Sequence, residues 1–273
     1  MRKLLTENGS KIFVEERAYG VGPELLRDAA ELFDLYAPKV IADGAVVRMF
    51  YTSREHYATA RNDMKAATGI DIVDVFPEDM RSPTSTAIGG ESFIVMPVEP
   101  GTSYEELGGA LLHELCHCEL TPPYMSTDTV VAAVEIAWAE YTADGRSLEV
   151  DSFAVAAANW CLHTNLYPGM KRMAIKHRER GQFDAINLAK NVGIFSAWLT
   201  REYPYKETLL PVFRRIVDDY AAFHKAILRP REHEKHQNAV EAALSLPFTR
   251  ETFARIIEPV TERGDIRKRV WVK

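Results

Sequence analysis

The chain has 273 residues, 47% of them hydrophobic and 26% charged, enough apolar material for one large domain or two lobes. A net charge of −6 and a pI near 5.8 argue against general binding to nucleic acid or to anionic membranes. Three cysteines form no disulfide framework, no apolar run follows Arg2 and Lys3, and no stretch nears the ~20 apolar residues of a membrane span, so a cytoplasmic protein is expected.

Residues 23–39 are the first expected helix, with Leu25, Leu26, Ala29, Leu32 and Phe33 on one side. Residues 45–51 read as a strand, and Ser53 starts a helix that runs to about Thr68 and stops at Gly69. Residues 85–88 and 92–96 flank Gly89-Gly90 as a hairpin. Ser103 and Glu106 then make a capping box for a helix whose Leu107, Ala110, Leu111, Leu115 and Cys118 recur at helical spacing. The proline pair after Thr121 ends that helix. Gly108-Gly109 inside it costs about 1 kcal/mol per glycine against alanine, which points to close backbone packing.

A further helix is expected from Thr129 to Asp144, ending near Gly145. Beyond it the chain reads as helical over 152–165, 170–180, 183–202, 206–228, 231–245 and 249–262, punctuated by Pro168-Gly169, Gly181, Pro204, Pro230 and Pro247. Residues 270–272 read as a short strand or a tucked tail.

The chemistry concentrates in His113-Glu114-Leu115-Cys116-His117, an H-E-x-x-H on a helix. Positions i and i+4 lie one above the other, so both imidazoles reach one metal ion while Glu114 stays beside them to handle a proton. A catalytic zinc takes three protein ligands and leaves a fourth position for water. The following helix offers Glu140 and Asp144, four residues apart on one face, and also Glu135. Glu135 stands roughly 140° from Glu140 round the helix, so the two cannot both face the metal.

His113-Glu114-x-x-His117, followed 23 residues later by Glu140-Tyr141-Thr142-Ala143-Asp144, resembles the small gluzincin zinc metallopeptidases. The resemblance covers about residues 85–150. It implies Glu140 as third zinc ligand and Asp144 as the carboxylate that orients a zinc histidine; Glu135 has no such acid four residues on. A metzincin would need glycine at 120 and histidine at 123, where this chain has Leu120 and Pro123.

The fold class implied is α+β: a zincin-like core, 1–150, with a short mixed sheet, the H-E-x-x-H helix and the glutamate-bearing helix, then a largely helical lobe, 151–273. In that architecture the strand before the metal helix is a sheet edge that pairs with an extended substrate. Ser92–Met96, centred on Phe93, Ile94 and Val95, is the candidate for that strand; an ordinary core strand is its alternative.

The expected activity is hydrolysis of a peptide or protein substrate with one Zn²⁺, Glu114 as general base and no nucleic-acid partner. A peptide-binding protein on a gluzincin scaffold, or a hydrolase of a non-peptide amide or ester, are the other readings. Elsewhere, His163 with Cys161 and Trp160 reads as core, His233 and His236 as a solvated face, and His177 and His224 as less informative. Tyr124 and Tyr141 read as packing tyrosines with a polar tip, and Cys116 and Cys118 as core.

Overall fold

The computed structural model describes residues 2–5, 11–68, 83–118, 129–159, 185–201, 203–204 and 248–261. The helices expected at 170–180, 206–228 and 231–245 lie outside them, as do Tyr124, Trp160, Cys161, His163, His177, His224, His233, His236 and the 270–272 end.

Five strands make one mixed sheet: β1 (Arg2–Leu5), β2 (Lys11–Tyr19), β3 (Val46–Thr52), β4 (Thr84–Ile88) and β5 (Glu91–Pro97), in the order β1-β2-β3-β5-β4. The central pairs β2–β3 and β3–β5 are parallel, and the outer pairs β1–β2 and β4–β5 are antiparallel. Among the described residues the helices are α1 (Pro23–Val40), α2 (Tyr57–Thr68), α3 (Tyr104–Cys118), α4 (Thr129–Ala158), α5 (Ala185–Thr200) and α6 (Arg250–Thr261). The architecture is thus α+β with a small mixed sheet, as expected. No helix among the described residues is long and apolar enough to cross a membrane.

The chain divides into two compact units: Met1–Pro122 with Arg146–Asn159 and Val272–Lys273, and Pro123–Gly145 with Trp160–Trp271. In the first, β3 and β5 are largely buried on both faces, as parallel central strands require. One face carries Ile12, Val14, Val47, Met49, Ile94 and Met96, all at most 1% exposed. The other carries Phe50, Phe93 and Val95, packed with Tyr57 and Met64 of α2. That face continues as an ion ladder: Arg48 donates to Glu15 and Glu91, each at 2.6 Å, and Arg17 donates to Glu15 at 2.7 Å. The Arg17 hydrogen bond holds the Glu15 carboxyl below its ordinary range.

Three local expectations change. β1 and β2 carry no expected element in the sequence reading, because Glu15-Glu16-Arg17 breaks the alternation set by Ile12 and Val14. Ser53 leads first into a 3₁₀ turn, Arg54–His56, and only then into α2. The helix expected to end near Gly145 continues as α4 to Ala158, broken only at Asp151 (φ −155°, ψ 88°). Asp151 accepts from the Ala154 N–H at 2.9 Å and so caps the restarted helix, and its other oxygen accepts from Tyr36 at 2.8 Å. Burial and the adjacent carboxylate push the Tyr36 hydroxyl well above its ordinary value, so it stays a donor.

The candidate substrate edge also moves. β5 is paired on both sides, Val47–Thr52 along one and Thr84–Ile88 along the other, and Phe93, Ile94 and Val95 are at most 3% exposed. It is a core strand and has no free backbone edge to offer. Among the described residues the outer strand on that side is β4, joined to β5 through Gly89 and Gly90 at φ 60° and 83°. Two consecutive positive φ values are what a tight two-residue hairpin demands.

Candidate metal centre

Helix α3 begins at the capping box read from the sequence. The Glu106 N–H donates to Ser103 Oγ at 3.2 Å, and the Ser103 N–H donates to Glu106 Oε2 at 3.0 Å. Its middle packs closely. A Cβ on Gly109 would lie 2.0 Å from the Ala154 carbonyl oxygen, so only glycine admits that approach of α4; a Cβ on Gly108 would meet only the Leu32 and Tyr36 side chains. One turn later stand His113 and His117, both partly buried. Their Nε2 atoms are 3.0 Å apart and their rings nearly perpendicular at 87°. Glu114 is 6% exposed, between them in sequence.

The buried stripe of α4 is unusual in chemistry. Ala133, Ala137, Glu140, Asp144 and Ser147 recur at three- and four-residue spacing and are all buried, so two acids and three small residues stand where leucines would be usual. Glu140 completes a group with His113 and His117: the ligand atoms of the three side chains all lie within 4.8 Å of one another, a set that could hold one metal ion. The rival Glu135 is engaged elsewhere. Arg250 Nε donates to both its oxygens, at 2.9 and 3.1 Å, while the guanidinium lies 4.7 Å from the centre of the Trp138 ring. Tyr141 packs in an aromatic cluster, 5.7 Å from Trp138 and from Phe253 and 5.8 Å from Phe248.

Three residues of α5 bear on the acid pair. Lys190 Nζ lies 3.6 Å from Glu140 Oε1. Trp198 Nε1 donates to Asp144 Oδ2 at 2.8 Å, with both residues at most 1% exposed. A Cβ on Gly193 would meet the Ala137 carbonyl oxygen at 2.3 Å and the Glu140 Cβ at 2.9 Å. Sequence reasoning passed over all three. The usable signal was indirect: buried acids need donors, and a tryptophan in an apolar helix carries an N–H that needs an acceptor.

No family model matches the chain, and neither does any curated protein or solved structure.

Proposed function

We propose that the chain is a zinc-dependent metallopeptidase of the gluzincin kind, with His113, His117 and Glu140 as metal ligands and Glu114 as general base. The observation that carries this reading is the convergence of the three ligand atoms within 4.8 Å. Two imidazole nitrogens on one tetrahedral zinc stand about 3.3 Å apart at ordinary Zn–N lengths, and the two Nε2 atoms here are 3.0 Å apart. A donor set of two imidazoles and a carboxylate suits zinc and leaves room for a fourth ligand.

Bound there, zinc would supply Lewis-acid polarisation of a scissile carbonyl and activation of a water molecule. Glu114 takes the proton of the attacking water and passes it to the leaving amine. Asp144, buried four residues after Glu140 on the same face, holds the tautomer of a metal-binding imidazole. The zincin-like core comprises the sheet, α3 and α4, and an extended peptide substrate pairs with the outer strand β4 rather than with β5. Three cysteines, an odd number with no scaffold-like spacing, are in keeping with a reducing compartment such as the cytoplasm.

Metal analysis of the purified chain with a peptide-library digestion tests the reading. Glu114→Gln should retain stoichiometric zinc and lose hydrolysis. A metal-replete Glu114→Gln protein with full activity overturns the mechanism.

A further inference from the structure

Helix α4 buries Glu140 and Asp144 on one face, and the residues that share this stripe, Ala133, Ala137 and Ser147, bring no positive charge to balance them. A carboxylate out of water needs a donor or a balancing charge, and α5 brings a cation to Glu140 and a donor to Asp144. Lys190 Nζ stands 3.6 Å from Glu140 Oε1, with its side chain 49% exposed. The Trp198 indole N–H meets Asp144 Oδ2 at 2.8 Å from a fully buried ring. That ring meets Phe195 edge-on at 5.0 Å and is stacked on Tyr203 at 4.6 Å, and the stack fixes the direction of its N–H. Between the two, Gly193 admits the close approach of α5 to Ala137 and Glu140. A contact from α5 to one oxygen limits how each carboxylate can turn.

We propose that Lys190 and Trp198 are positioning residues for the metal centre, holding Glu140 and Asp144 in the orientations that ligation and imidazole support require. This rests on the reading of Glu140 and Asp144 given above. Groups hydrogen-bonded directly to a ligating side chain commonly tune metal affinity by 10–100-fold; Lys190 acts by an ion pair and Trp198 through Asp144, so each should contribute less.

The test measures zinc affinity of the full chain by competition with a chromophoric chelator, alongside thermal unfolding in EDTA. The proteins are wild type, Lys190→Met, Lys190→Arg, Trp198→Phe, Phe195→Leu and His113→Ala. Lys190→Met and Trp198→Phe should each weaken zinc binding by about two- to tenfold, and Lys190→Arg should recover most of the loss. Phe195→Leu, which loosens the edge contact to the ring but keeps its stack on Tyr203 and every hydrogen bond, should lower the unfolding temperature and keep zinc affinity. Lys190 is half-exposed, so its variants remain folded even if Trp198→Phe does not. Wild-type affinity in Lys190→Met and Trp198→Phe, with binding lost in His113→Ala, overturns this inference and leaves the metal reading intact. No zinc binding by the wild type overturns both.

Discussion

Adjacent glycines in α3 should respond oppositely to the same substitution. In Gly109→Ala the new methyl would lie 2.0 Å from the Ala154 carbonyl oxygen, 2.5 Å from its carbon and 2.8 Å from the Ala158 Cβ. Carbon and carbonyl oxygen rarely approach closer than about 3.3 Å, so α3 and the end of α4 must separate by more than about 1 Å. Overpacking of this kind costs about 1–3 kcal/mol, and the better helix propensity of alanine returns about 1 kcal/mol. Because the clash is with backbone, the cost lies at the upper end of that range, and the expected net loss is up to about 2 kcal/mol. In Gly108→Ala the nearest atom is Leu32 Cδ2 at 3.0 Å, the far end of a side chain that can turn aside. There the propensity gain of about 1 kcal/mol offsets or outweighs the crowding. Urea unfolding of both variants, read by far-UV circular dichroism, should separate them by about 2 kcal/mol in favour of Gly108→Ala. Equal stabilities, or the reverse order, would refute the account of how α3 and α4 meet. His113 stands one turn beyond Gly109, so the same Gly109→Ala protein should also bind zinc more weakly.

Replacing Glu140 by Gln should cut zinc occupancy sharply, whereas Glu135→Gln should leave it unchanged and remove an ion pair to half-exposed Arg250 worth at most about 1 kcal/mol; metal analysis of the pair decides between them. Tyr36→Phe leaves one Asp151 oxygen without its buried donor and should lower stability by about 1–2 kcal/mol in the same urea assay. Glu15, held below its ordinary range first by the Arg17 hydrogen bond, contributes stability at pH values above its unfolded value. That contribution should disappear as pH falls through the lower folded value. Wild type and Glu15→Gln should therefore differ in unfolding free energy near pH 6 and converge in acid, and a pH-independent difference would count against the ladder.

What the sequence made legible was local. The capping box of Ser103 and Glu106, the Gly89-Gly90 hairpin and the i,i+4 histidines are each complete within a few residues, and each is present in the structure. Glu140 was reachable because its partner acid lies one turn away. The features that escaped depend on distant residues. β2 forms although Glu15-Glu16-Arg17 interrupts its alternation, because Arg48 and Glu91 on neighbouring strands complete the ladder. β5 looks the same in sequence whether it is an edge or a centre, and only the register of β3 and β4 settles which. The break at Asp151 depends on Tyr36, 115 residues away, and the roles of Lys190 and Trp198 depend on contacts across 50 and 54 residues.

On the proposed reading, the stripe of α4 makes metal binding and interior packing the responsibility of neighbouring side chains on one face. A leucine-lined helix can exchange one residue for another of similar volume and lose little. Ala133, Ala137, Glu140, Asp144 and Ser147 leave less latitude: all are buried, Gly193 already stands against Ala137 and Glu140, and removal of Asp144 strands the Trp198 N–H. Variation tolerated along this helix should therefore concentrate on its other faces. Drift in the interior and loss of the metal centre would then be one event, visible to selection at once.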